Sequence, residues 1–415
     1  MSKIKLLSVL IVFSAFSALM LSSCGKKEPA SKPVNEAAKA GHLQASPTSL
    51  MAPAESDMAF SNGFVYYGVG SSLIEYDTET GTTATITPKV PDNAFVSDCS
   101  LYDGYIYAVE MLYNSADNSE AYSIIRIDYN TGDTEEIYSP DDSADAIDRM
   151  TVSSDGKLFF TQGHFVSGDT DENGFSNSYY VCSYDIGTGK AEQLVCADSY
   201  YIDNDTIYFT RLRESTDTEH LFYARMSDTS AVTDTQTDVV SSVSENTPYM
   251  YFPADGKVYY SVNDNKLRCY DVSKNESTDI CTFADETYVR YFQKWDGKMI
   301  VLLREHRKNS QWYQYGLYYL DKNNKPVKIL DEEYFNKNYP LGFEYIDFMT
   351  IFSEYENSIM ISTYNLADDR RLYLIGKDLE PEKVIEVGDW DYKTYEEEQL
   401  EIEKTMQNAD IGGQQ

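Results

Sequence analysis

An all-β fold is expected for this 415-residue chain: a seven-bladed β-propeller of four-stranded antiparallel blades, with a short C-terminal helix. Three observations point there. A tight-turn pair followed by an aromatic or β-branched run recurs at Asn62-Gly63, Asp103-Gly104, Asp155-Gly156, Asn204-Asp205, Asp255-Gly256, Asp296-Gly297 and Glu356-Asn357. Successive copies stand 41 to 60 residues apart, and a period of roughly 40–50 residues with four short strands per unit marks a propeller. The 36 tyrosines suit the same design, because a tyrosine ring packs between stacked sheets while its hydroxyl reaches a polar edge.

Each turn is followed by two alternating strands and a weaker third. FVYY, YIYAV and KLFF come directly after the first three turns, and LIEYD, IIRID and YVCSYD follow them. Val, Ile, Tyr and Phe at alternate positions suit half-buried antiparallel strands, and Asn-Gly or Asp-Gly supplies the positive backbone angles of a tight hairpin. The propeller is expected over residues 56–388. The Ser/Thr-rich stretch 227–244 makes a weak outer strand, so a count of six or eight blades stays open. Also open is whether a strand near residues 56–60 closes the ring on the last blade.

Lys3 and Lys5 precede an apolar run from Leu6 to Met20, which reads as a secretory signal. The segment Leu21-Ser22-Ser23-Cys24-Gly25 resembles the bacterial lipobox. That resemblance implies a signal peptide over residues 1–23 and lipidation of Cys24, palmitate included. Residues 24–55, rich in Pro, Ala, Ser and Lys, read as a flexible linker. The expected location is the bacterial cell envelope, anchored by lipid alone on the outer side of the cytoplasmic membrane, or in the outer membrane of a diderm source. Residues 389–415 form an acidic tail. Thr394 and Glu397 match a capping box there, so a helix is expected at 395–407.

The net charge of −34 disfavours nucleic acid as a partner. Beyond Cys24 there are five cysteines, Cys99, Cys182, Cys196, Cys269 and Cys281. An odd number excludes complete internal pairing. Cys182/Cys196 and Cys269/Cys281 flank hairpin turns, so a bridge in either pair and buried free thiols both remain open. The strand pattern resembles TolB-like, YWTD-like and quinoprotein-like propellers, including bacterial lipoproteins of uncharacterised function. Asp77–Gly81 and Asp185–Gly189 look like pieces of a quinoprotein repeat, but the closing Trp of that repeat is missing, and no quinone is expected.

Chemistry is expected on the longer B–C loops, Glu110–Ala121, Gly163–Ser178, Arg211–Glu219, Arg304–Gln314 and Asn365–Arg370. They hold or adjoin His164, Arg211, Arg213, His220, Arg304, His306, Arg307, Lys308, Trp312 and Arg370, a cationic and aromatic set suited to ligand capture. Asp169, Asp171, Asn173, Phe175 (through its carbonyl) and Asn177 follow a calcium-loop spacing around Gly174. Tyr180 stands where an EF-hand needs Glu, which leaves at most a weaker Ca2+ site. Nucleophile-elbow, HExxH and P-loop motifs are absent. The expected role is a non-enzymatic binding or scaffold module for an extracellular protein, peptide or glycan. The alternative is a lyase or hydrolase acting on an extracellular polymer through the loop histidines and a metal.

Overall fold

The computed structural model describes residues 50–51 and 58–387, apart from 62, 70, 78–79, 81, 117–118, 217, 242–250, 263–264, 307–312, 332, 335–347, 356–357 and 365–369. The expectations for residues 1–23, Cys24, most of the linker and the 395–407 helix lie outside the described residues.

The fold is a β-propeller. Antiparallel sheets follow one another along the chain, each built from consecutive strands, as in β2 (Met58–Ser61), β3 (Phe64–Val69), β4 (Ser72–Asp77) and β5 (Thr83–Ile86). The expected seven-bladed propeller of four-stranded blades is not what the structure shows. Among the described residues six blades are four-stranded, and the sheet of β14 (Ser199–Asp203), β15 (Thr206–Arg213), β16 (Thr218–Arg225) and β17 (Asp228–Ser241) carries a fifth strand. That strand, β1 (Leu50–Met51), pairs antiparallel along the inner edge of β14, with Leu50 opposite Asp203 and Met51 opposite Ile202. The open peptide edge of β14 accepts it because an inner strand has hydrogen-bonding groups free on its channel side. β2 pairs with β3 in its own sheet, and the last blade is completed by its own strands, β26 (Phe348–Tyr355) to β29 (Pro381–Val387).

The turn chemistry works as the residue types require. Asp103-Gly104, Asp255-Gly256 and Asp296-Gly297 have positive φ at both positions, the geometry whose twist matches flanking strands. Burial then falls from inner to outer strands. β15 has five consecutive buried residues, whereas β13 (Lys190–Cys196) opens with four exposed ones. Outer strands therefore carry little hydrophobic patterning.

Tyrosines fill the seams. Tyr66, Tyr107, Tyr200, Tyr251, Tyr260 and Tyr373 are among the largest fully buried side chains. Two of their hydroxyls, those of Tyr200 and Tyr251, find partners across blade boundaries, since a buried phenol needs a partner. Tyr200 donates to the Arg149 carbonyl at 2.7 Å on β10 (Ala146–Val152), and the Tyr251 hydroxyl lies 3.1 Å from Ser199 Oγ. Glu75 of β4, 3 % exposed, accepts from Tyr66 at 2.8 Å and from Tyr129 of the next blade at 3.0 Å. Burial, then the charge of Glu75, raises the Tyr66 and Tyr129 hydroxyls far above the usual phenol range, so both remain donors. The five cysteines are free thiols. Cys182 faces Gln193 and Cys269 faces Thr278, so neither proposed pair is in register.

Tyr129→Phe removes one donor from a buried carboxylate and should lower stability by about 1–3 kcal/mol. The shift of the urea midpoint checks this; a midpoint unchanged within error would mean the inter-blade bond is energetically silent.

Candidate functional site

The connection 164–178 links β11 (Lys157–Gly163) to β12 (Tyr179–Asp185) and leaves the body on the face of the B–C loops. Gly163 allows its departure. At φ 148° it brings the loop ends together so closely that a Cβ there would lie 2.1 Å from the Ser178 carbonyl oxygen.

The far half of this loop is docked on the neighbouring sheet. Phe175, 3 % exposed, bridges to Arg213 and lies between rings and cations of that sheet. Its ring centroid is 5.2 Å from Phe222, 5.4 Å from His220 and 4.5 Å from the Arg213 guanidinium. Arg211 Nη1 donates to Asp171 Oδ2 at 2.8 Å. Its Nη2 donates to the Ser176 carbonyl at 3.1 Å, to Asn177 Oδ1 at 3.2 Å and, longer, to the Phe175 carbonyl at 3.4 Å. Asp171 Oδ1 in turn accepts from the backbone of Asn173 and Phe175 at 2.8 and 3.1 Å. Three oxygens of the calcium-like spacing, from Asp171, Phe175 and Asn177, thus meet a guanidinium, a fixed cation supplied by the next blade. Asp169 and Asn177 close the base of the turn through a backbone bond of 2.9 Å.

Burial alone would raise the Asp171 carboxyl. The N–H groups of Phe175 and Asn173, and then Arg211, outweigh it and hold the carboxyl below its ordinary range. Burial pushes the Cys196 thiol, which donates to the Ser176 carbonyl, up to about 11, so it is no nucleophile at neutral pH.

The near half of the loop is open. Phe165 is 45 % and Val166 40 % exposed, two of the few large apolar side chains in the described body left in solvent. Beside them, His164 Nδ1 lies 2.7 Å from Asp145 Oδ1, whose other oxygen accepts from Gln162 Nε2 at 2.8 Å. Tyr138 donates to Gln162 Oε1, completing a chain that orients Asp145. Asp142 stands one turn away on the same β9–β10 connection, between β9 (Thr134–Tyr138) and β10.

Of the expected binding set, the fold therefore joins Arg211, Arg213 and His220 into one internal seam. His220 Nε2 lies 3.2 Å from Asp234, further tying it into its own sheet. Arg304 and His306 sit at the end of β23 (Lys298–His306) in another sheet, Arg304 with its guanidinium 5.9 Å from the Tyr288 ring. Arg370 opens β28 (Arg370–Ile375), while Arg307, Lys308 and Trp312 lie outside the described residues. His220 and His306 lie in two different sheets and His164 follows a strand of a third, and among the described residues the one three-ligand group of metal-binding type has His164 as its sole histidine. Sequence reasoning missed Asp142, Asp145 and Gln162. The signal was the acidic run of the preceding D–A connection, which emerges on the same face as His164.

No family model and no curated protein matches the chain. Solved structures do. Oligopeptidase B from Leishmania major aligns with a TM-score of 0.50 at 11% identity, covering 81% of this chain and 49% of that one, so the chain spans about half its length. The β-propeller domain of the Trilobed protease from Pyrococcus furiosus aligns with a TM-score of 0.45 at 14% identity, over 81% of this chain and 95% of that one. An oligogalacturonate lyase from Vibrio parahaemolyticus gives 0.42 at 11% identity, over 76% and 88%. At such identities the likeness extends to the fold alone.

Arg211→Ala should leave Asp171 half-buried without its cation and release the loop, at a cost of about 1–3 kcal/mol. Hydrogen exchange at the Asn173 and Phe175 amides would report it; protection equal to wild type would refute the anchoring role. Because the folded Asp171 carboxyl titrates below its unfolded value, its contribution is complete above about pH 4 and is lost as pH falls through the lower folded value. The same two amides should therefore stay protected at pH 5 and lose protection only in stronger acid.

Proposed function

We propose that this protein is a lipid-tethered, non-enzymatic binding module that captures an extracellular protein, peptide or glycan on its B–C loop face. The observation carrying this reading is the construction of the 164–178 loop. Its far half is clamped to the next blade by Arg211 and Phe175, and its near half holds Phe165 and Val166 in water. Ordering a loop in advance lowers the entropy lost on binding, and apolar side chains kept exposed on an ordered loop are characteristic of contact surfaces. Arg211 and Arg213 of the expected ligand-binding set pack against the Phe175 ring of the clamp.

The tether is supported by the lipobox-like Cys24 and by the linker composition that follows it. The net acidity of the chain would keep the body off anionic headgroups.

Phe165→Ser combined with Val166→Ser should leave the melting temperature unchanged and reduce capture of envelope components at least about tenfold, roughly 1.4 kcal/mol. Quantitative pull-down from envelope extract, read against wild type, decides it. Equal recovery by both proteins would exclude this loop as the contact surface.

A further inference from the structure

We infer that Asp142, Asp145 and His164 form a binding site for a divalent transition cation of the zinc or manganese class, open on its solvent side. Their candidate ligand atoms all lie within 4.8 Å of one another. Three features beyond proximity argue for it. First, the ligands come from two separate connections, β9–β10 and β11–β12, that the blade brings to one face. An imidazole joined to two carboxylates is a mixed N/O set, which suits zinc or manganese better than calcium.

Second, the set is held from behind. Gln162 Nε2 fixes Asp145 Oδ2 at 2.8 Å, and Tyr138 holds Gln162, leaving Asp145 Oδ1 directed at His164. Such an outer layer is what keeps metal ligands oriented. Third, the spacing is close to what an ion needs. Ligands about 2.1 Å from a tetrahedral ion lie about 3.4 Å apart. The 2.7 Å contact between His164 Nδ1 and Asp145 Oδ1 would open by under an ångström, the ion replacing their shared proton. Asp142 is exposed and already within reach of the set, its Oδ1 accepting from the Ala144 amide at 3.0 Å. Side-chain exposures of 40 % for His164 and 17 % for Asp145 leave room for water or a ligand atom in the remaining coordination positions. The exposed Phe165 and Val166 follow His164 directly, so a donor group bound to the ion would lie beside an apolar contact.

The site stands on its own and does not depend on the binding role proposed above. The experiment is calorimetric titration of the mature protein, stripped with chelator, with Zn2+, Mn2+ and Ca2+ in turn. Wild type should take up one equivalent of Zn2+ or Mn2+ more tightly than Ca2+. His164→Gln and Asp142→Asn should each weaken that uptake at least about tenfold, and Asp285→Asn, an exposed acid on another blade, should not. Asp142→Asn is the safer variant, since its side chain carries no packing, and circular dichroism confirms its fold. Cobalt(II) absorption of wild type gives a second readout, with d–d bands that Asp142→Asn should alter. No uptake of Zn2+ or Mn2+, a preference for Ca2+, or uptake that survives either site substitution would overturn the assignment.

Discussion

Stacking of sheet faces is the constraint on which the rest depends. A four-stranded sheet with apolar residues on both faces of its inner strands has no stable surface in water until a neighbour covers each face. Residues such as Val65, Leu73, Ile106, Val181 and Leu267 are fully buried by that arrangement. Tyrosine makes the seam specific. Its ring fills the gap, and its hydroxyl can then bond to the adjoining blade, as Tyr200 does at Arg149 and Tyr129 at Glu75. A sheet misplaced by one position would leave those phenols and the Glu75 carboxylate buried without partners, at a cost larger than the apolar contact regained.

The same logic explains where function is free to appear. Inner strands are committed on both faces, and outer strands are solvated but plain. The connections at the loop face are less committed to packing, and the 164–178 loop shows both uses of that freedom. Its Asp171–Asn177 segment was turned into packing by a guanidinium from the next blade, with Phe175 as the apolar pin. Its His164–Val166 segment was not. An acidic turn beside an arginine is thus read two ways by chemistry: as a cation site when the arginine is elsewhere, and as a clamp when the fold brings it near.

The repeat, the strand runs and the hairpin turns were legible in the sequence because they are local. Asp-Gly pairs prescribe a backbone twist, and alternation prescribes a face, whatever surrounds them. The outer strands were fainter for the same reason: with mostly exposed residues, as in Lys190–Cys196, there is little pattern to read. The fifth strand at Leu50–Met51 had no signature at all, since two residues carry no periodicity and the pairing depends on an edge some 150 residues away. Likewise, Arg211 and Asp171 were both visible as charged loop residues, but nothing in the sequence paired them.

By itself, then, the sequence determined the kind of sheet, its turns, the acidity of the body and the absence of familiar catalytic motifs. These follow from composition and short-range spacing. Tertiary structure decided which loop charges are spent on holding blades together and which remain available. That choice turns on distances between residues of separate sheets and connections, such as Arg211 to Asp171 and Asp145 to His164. Coulombic and hydrogen-bond energies fall off over a few ångströms, so they exist only once the blades are stacked.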